Sequence, residues 1–121
     1  MKILQTLMRI YVSELEPALT FYENLLGVKC NLRFQYSEGN LELASVGNFL
    51  LLCGSEDALK PFRDTKATIL VDSLDDVKQF LESNGAAIIR GPKIVPTGKN
   101  MTVKHFDGSI IEYVQHFQSN Q

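Results

Sequence analysis

The sequence lacks the features that mark several large classes of protein. Its 121 residues include no tryptophan, two histidines and two cysteines. Because Cys30 and Cys53 have no CxxC spacing, reduced thiols in a cytoplasmic protein are expected rather than a disulfide framework. No apolar run approaches the roughly 18 residues of a membrane-spanning helix, and the charged, short apolar start is not expected to be a signal peptide.

The charge composition is nearly balanced. Twelve basic and fourteen acidic residues give a formal net charge of −2, which gives no electrostatic reason to expect nucleic acid or an anionic membrane as a partner. Glycine-rich phosphate loops, Walker motifs and HExxH motifs are also missing. With 45% hydrophobic and 21% charged residues, the chain is predicted to form one globular domain.

What the sequence does contain is a pattern that occurs twice. Each half is predicted to have a strand, a helix and three more strands, from period-two and helical spacing of apolar residues. The predicted strands lie at 4–12, 28–36, 41–46 and 49–53, and again at 66–71, 86–90, 100–106 and 109–117. The helices begin near Leu15 and Leu74, and Gly27 and Gly85 suit their ends. The stretch GPKIVPTG at 91–98 is predicted to interrupt the strand pattern.

These elements predict an α+β fold built from two βαβββ modules, with the helices on one face of a mostly antiparallel mixed sheet. Module one covers about 1–54, a connector 55–64, and module two about 65–117 of the single domain 1–121. A ferredoxin-like βαββαβ domain is the alternative, but it leaves at least two predicted strands without a place.

The sequence resembles the vicinal oxygen chelate superfamily in three stretches: VSELEPALTFYENLLGV, its weaker repeat VDSLDDVKQFLESNGA, and HFDGSIIEYVQ. That superfamily includes glyoxalase I, the bleomycin-resistance proteins, fosfomycin-resistance enzymes and extradiol dioxygenases. The resemblance implies that the two modules curl into a cup with the helices outside, and that a homodimer completes two cups.

The same resemblance implies where metal ligands would lie. Metalloenzymes of the superfamily carry His or Glu at four positions, which align here with Leu7, with Leu51 or Leu52, with Lys66 and with Glu112. Of these residues only Glu112 can bind a cation, and a lysine would repel one, so we expect no metal and no cofactor. A shift of one residue in the alignment would make other polar residues the candidates: Gln5, Thr6, Glu42 and His105.

Strand alternation also places polar side chains on the face away from the helices. The candidate ligand-binding residues are Arg9, Tyr11, Phe34, Phe49, Lys66, Thr68 and Glu112. A lone carboxylate away from water is costly, so Glu112 is predicted to pair with Lys66, Arg9 or both. Alternatively, these charged residues only hold the cup together.

Together these observations favour a metal-free protein that binds a small molecule, similar to the bleomycin-resistance branch. Ligand pockets are mostly apolar with a few placed polar groups. Two cations against one anion favour an anionic or carboxylate-bearing ligand, and the aromatic candidates among the lining residues also allow an aromatic one. The alternative is a divergent vicinal oxygen chelate enzyme of lyase, dioxygenase or isomerase type, with or without a divalent metal. No Ser-His-Asp or Cys-His pattern is recognisable, so no catalytic residue is predicted.

Overall fold

A computed structural model describes residues 1–117. They form two compact units, which we call the first unit, Leu7–Asp64, and the second unit, Met1–Thr6 together with the chain from Thr65 onward. The strand β1 (Ile3–Val12) contributes residues to both units.

The first unit contains the end of β1 followed by one long helix, three strands and a short helix. These are α1 (Leu15–Leu26), β2 (Leu32–Tyr36), β3 (Leu41–Val46), β4 (Phe49–Cys53) and α2 (Glu56–Leu59). The strand order is β2-β3-β4-β1. Strand β4 runs parallel to β1, and the β2–β3 and β3–β4 pairs are antiparallel.

Both faces of the first unit's sheet are apolar. Leu15 and Leu19 of α1 pack on one face, in a set that we call the α1 cluster: Leu15, Leu19, Ala44, Val46 and Leu51. The other face carries a second buried set, the leucine cluster: Leu7, Leu41, Leu43, Leu50, Leu52 and Leu59. Strands buried on both faces have nearly continuous apolar sequences, which explains why β3 and β4 alternate so weakly.

The connector that was expected at 55–64 is folded. Ser55 caps α2 by accepting a hydrogen bond from the Ala58 N–H at 3.1 Å, and a 3₁₀ turn, Lys60–Phe62, follows directly. Leu59 is only 2% exposed because it packs into the leucine cluster. This segment therefore belongs to the core of the first unit.

Apart from the start of β1, which it also includes, the second unit begins with a strand, a helix and three further strands, as the first unit does. It contains the start of β1, then β5 (Thr65–Val71), α3 (Leu74–Ser83), β6 (Ala87–Val95), β7 (Gly98–Lys104) and β8 (Ile110–His116). The strand order is β1-β5-β8-β7-β6, with β5 parallel to β8 and both the β6–β7 and β7–β8 pairs antiparallel. Its core lies between α3 and the sheet: Val71, Leu74, Val77, Leu81, Met101, Val103 and Tyr113.

The predicted interruption after Arg90 is wrong, because β6 continues to Val95. The strand passes Gly91 and Pro92 through two register shifts against β7. Gly91 has a positive φ of 81°, which glycine adopts at little cost. Pro92 is tolerated because β6 is the last strand in the order and proline is accommodated on edge strands and at bulges.

Both units therefore follow the order strand, helix, strand, strand, strand, which confirms the predicted α+β class with two βαβββ modules. Among residues 1–117, no helix is both long enough and apolar enough to span a membrane.

Candidate functional site

The seven candidate residues divide between the two units. The first unit contains Arg9, Tyr11, Phe34 and Phe49, and the second unit contains Lys66, Thr68 and Glu112.

Arg9 and Tyr11 lie on the face of the first unit's sheet that carries the leucine cluster. Tyr11 packs against that cluster, and the Arg9 guanidinium donates a hydrogen bond from Nη1 to the Tyr11 hydroxyl at 3.3 Å. The Tyr11 hydroxyl in turn donates to the backbone carbonyl of Phe62. The guanidinium carbon of Arg63 lies 5.5 Å from the centroid of the Tyr11 ring, within the range of a cation–π contact. Tyr11 is thus engaged at its hydroxyl and at its ring.

The two phenylalanines lie on opposite faces of the same sheet. Phe34 pairs with Leu43 of β3 and packs against the leucine cluster. Phe49 instead packs against the α1 cluster, with its ring centroid 5.0 Å from that of Tyr22. Phe34 therefore lies with Tyr11 at the leucine cluster. Phe49 lies beneath α1 on the opposite face, so it does not share a ligand-binding surface with Tyr11.

In the second unit, Thr68 and Glu112 are direct cross-strand partners on β5 and β8. Thr68 is buried, with 3% of its surface exposed. Its hydroxyl donates a hydrogen bond to Glu112 Oε1 at 2.9 Å. On the other side, Thr102 of β7 is the partner of Glu112. The neighbours Ile111 and Tyr113 point to the α3 side and join the core. A carboxylate can therefore interrupt an apolar strand because it lies on the other face, beside a hydroxyl donor.

Lys66 does not form the predicted ion pair. It is the extra residue at a register shift, since Thr65 pairs with Ile110 and Ala67 pairs with the next residue, Ile111. Lys66 is exposed, and within residues 1–117 no salt bridge of 4.0 Å or less joins it to Glu112. A bulge changes the direction of the strand locally, which simple alternation did not anticipate.

Basic residues of β6 and β7 share the face of Glu112, and the sequence did not identify them. Arg90 is paired with Thr102, which is itself paired with Glu112, and directly opposed residues lie on the same face of a sheet. In the same way Lys104 is opposite Ile110, and Lys93 is opposite Asn100, the partner of Val114. Because the sequence predicted an interruption at 91–98, it did not indicate how β6 pairs with β7 or which face these basic side chains share.

The residues at the positions that the resemblance assigns to metal ligands do not fit a divalent cation. Leu7 and Leu52 are buried in the leucine cluster, with 5% and 1% of their surfaces exposed, and their hydrocarbon side chains cannot bind a metal. Lys66 carries a positive charge and would repel one. Divalent metals need several His, Cys, Asp or Glu donors. Throughout residues 1–117, no group of three or more such residues could hold a metal ion.

Tyr113 and Cys53 are polar residues on the helix sides of their sheets. The His105 Nε2 atom is 2.7 Å from the Tyr113 hydroxyl, and burial in the α3 core raises the pKa of Tyr113. Burial, together with the nearby Glu42 carboxylate, raises the pKa of the Cys53 thiol. Tyr113 and Cys53 each pack in the helix-side core of their own unit.

No family model matches the sequence, but individual proteins do. A crystal structure of a hypothetical protein from Methanosarcina mazei is 60% identical, covers 100% of this chain and 98% of its own, and superposes with a TM-score of 0.94. Methylmalonyl-CoA epimerase from Mycobacterium tuberculosis covers 92% of this chain and 86% of its own at 17% identity and a TM-score of 0.74, which demonstrates a shared fold.

A curated relative matches over a shorter stretch. Lactoylglutathione lyase from Neisseria meningitidis is 47% identical over 47 residues. That stretch is 39% of this chain and 33% of the lyase, so the match spans about a third of the curated relative's length.

Proposed function

Because the chain belongs to the vicinal oxygen chelate superfamily, we propose that it is a glyoxalase-like and bleomycin-resistance-like protein that binds a small anionic or aromatic molecule without a metal. The observation that carries the proposal is the face around Glu112. A half-buried carboxylate is held there by Thr68 at 2.9 Å, on a sheet face that does not pack on α3.

The charge of this face favours an anionic ligand. Arg90, Lys93 and Lys104 share it with Glu112 by strand register, so basic side chains outnumber this acidic one. An arginine fork binds a planar carboxylate through two parallel hydrogen bonds. Glu112 would accept a hydrogen bond from a hydroxyl or amide elsewhere on the same ligand, which would fix its orientation.

The first unit gives a separate reason to test aromatic ligands. Tyr11 and Phe34 border the leucine cluster, and ligand pockets characteristically combine apolar walls with few polar groups. Aromatic compounds are therefore screened with and without a carboxylate, so that a response to the ring and a response to the charge are measured separately.

The experiment is a calorimetric stability screen, since the chain has no tryptophan to report unfolding. Benzoate, phenylacetate and salicylate are each compared with the corresponding uncharged amide. A ligand at a hundred times its dissociation constant stabilises the folded state by about 2.7 kcal/mol, a rise in melting temperature of roughly 10 °C for a chain of this size. Equal shifts with acids and amides would contradict the preference for an anionic ligand, and no shift with any compound would contradict the proposal.

Site variants locate the binding. Arg90→Gln is expected to abolish the response to the carboxylates, because it removes the guanidinium from the Glu112 face. Lys29→Gln is the matched control, since it removes one exposed positive charge in the first unit and should leave the response unchanged.

A divergent enzyme of the superfamily, of lyase, dioxygenase or isomerase type, is the second candidate. The 47% identical stretch shared with a lactoylglutathione lyase favours it. Turnover of lactoylglutathione and of methylmalonyl-CoA is measured with and without added Zn²⁺ or Ni²⁺. Turnover that appears only with metal would reject the metal-free proposal, and metal-independent turnover lost in Glu112→Gln would make this face catalytic.

We also propose that the protein is a homodimer in the cytoplasm. Exposed apolar side chains on and beside α1 support a second copy as partner, because Phe21, Leu25 and Met8 are each more than half exposed. Two free cysteines, Cys30 and Cys53, suit a reducing compartment. Light scattering of the purified protein tests the dimer, and a Phe21→Ser/Leu25→Ser variant should be monomeric. Cell fractionation tests the cytoplasmic location.

A further inference from the structure

The segment at 55–63, which we call the strap, covers the face of the first unit that carries Tyr11 and Phe34. Leu59 is 2% exposed and is part of the leucine cluster, and Ala58 and Phe62 pack against it. The Phe62 ring also meets Tyr36 edge-on, with the centroids 6.1 Å apart. The strap thus inserts one branched aliphatic side chain and one aromatic side chain into a surface built of leucines.

Tyr11, in β1 of the sheet, holds the strap by polar contacts. Its hydroxyl donates to the carbonyl oxygen of Phe62, and the guanidinium of Arg63 lies over its ring at 5.5 Å. A hydrogen bond and a cation–π contact to the same side chain fix the end of the strap. The Tyr11 hydroxyl therefore acts as a latch.

The contacts within the strap add little to this attachment. The Glu56–Arg63 ion pair, at 3.2 Å, joins side chains that are 86% and 43% exposed, and exposed pairs contribute little to stability. Helix α2 has four residues, far fewer than an isolated helix needs in water. Once lifted from the leucine cluster, the strap would lose its helical hydrogen bonds as well.

We propose that the strap is an autoinhibitory plug: it occupies the apolar subsite beside Tyr11 and Phe34 with Leu59 and Phe62, and it must open before an aromatic or branched aliphatic ligand group can enter. The underlying sheet keeps its strand pairing while the strap opens, because such local openings cost less than global unfolding. The access to ligand rests on the proposed function, whereas the latch is testable without any ligand.

Hydrogen exchange of the full chain tests the latch through amides that are bonded only while α2 is formed. The amides of Ala58, Leu59 and Lys60 donate to Ser55 Oγ, Ser55 O and Glu56 O. Tyr11→Phe keeps the ring but removes the hydroxyl, and it is expected to speed exchange of these three amides about tenfold. Exchange in β3 should not change. Tyr22→Phe, on the α1 side, is the matched control and should leave the strap amides unchanged.

Exchange that is equally slow in Tyr11→Phe, or that rises by the same factor in β3, would overturn the latch. Arg63→Ala provides a second variant, since it removes the cation from the Tyr11 ring and is expected to act in the same direction. If both variants leave the strap amides protected, the polar contacts at Tyr11 do not control the strap.

Binding of phenylbutyrate tests the plug. When only the open fraction binds, the apparent dissociation constant falls by the factor by which that fraction rises, so Tyr11→Phe should bind about ten times more tightly than the unaltered chain. Faster exchange with an unchanged dissociation constant would overturn the plug. If neither protein binds phenylbutyrate or any acid of the stability screen, the proposed function fails, and the exchange result alone decides the latch.

Discussion

The hydrogen bond from Thr68 to Glu112 gives the sharpest test of why a carboxylate lies within β8. Thr68→Val keeps the shape of a buried side chain but removes the donor that lies 2.9 Å from Glu112 Oε1. Hydrogen bonds to charged groups contribute about 1.5–3 kcal/mol. Because Glu112 is only half-buried and water can replace part of the bond, we expect the lower end, a loss of about 1.5 kcal/mol in the free energy of unfolding.

A double-mutant cycle isolates that interaction from the other effects of each substitution. Thr68→Val, Glu112→Met and the double variant are compared by urea unfolding, followed by circular dichroism because tryptophan is missing. The double variant should be more stable than the sum of the two single losses predicts, by about 1–2 kcal/mol. Thr68→Ser, which keeps the hydroxyl, is the control and should retain most of the coupling to Glu112.

A coupling energy below about 0.3 kcal/mol, which is within the scatter of independent sites, would refute the reasoning. Thr68 and Glu112 would then be neighbours without an energetically significant bond. The interpretation of the Glu112 face as a built binding surface would lose its main support.

Three further predictions concern stability. Leu59→Ala should lower the free energy of unfolding by about 2–5 kcal/mol because it empties a buried site, whereas Ile94→Ala, at a position that is 78% exposed, should change it by less than about 0.5 kcal/mol. Urea unfolding compares the two variants, and equal losses would contradict the core role of the strap. Gly98→Ala should cost about 1–3 kcal/mol, since an added Cβ would lie 2.1 Å from the carbonyl oxygen of Gln115, and unchanged thermal unfolding would show that the backbone relaxes. Burial raises the pKa of Tyr113 in the folded state. The contribution of the neutral phenol to stability is therefore complete below the ordinary tyrosine pKa of about 10 and is lost as the pH rises through the folded pKa. The free energy of unfolding should fall above about pH 10, and it should fall less steeply in Tyr113→Phe.

The sequence predicted the elements whose signal is local and repeated. Helical spacing of apolar residues located α1 and α3, and alternation placed Glu112 on the face away from α3. Both features depend on periods of several residues, and both agree with the packing of Tyr113 and Ile111 on the helix side.

Other features depend on contacts that have no period. The bulge at Lys66 adds one residue to β5, so alternation does not describe the position of Lys66, whereas Thr68 and Ile69 after the bulge lie on the faces that alternation predicts. The strap was predicted as a plain connector because a four-residue helix is too short to produce a periodic pattern. Its sequence signal was limited to the capping residue Ser55 and to Pro61 in the following turn.

The division of β1 between the two units limits how the second unit could be produced as a separate fragment. A fragment that begins at Thr65 contains β5 to β8 and α3 but not Ile3–Thr6, the part of β1 that belongs to the second unit. The edge of β5 that faces β1 in the strand order would then be open, and open strand edges promote aggregation. A soluble second unit requires a circular permutation in which Met1–Thr6 is joined to the fragment as its own edge strand.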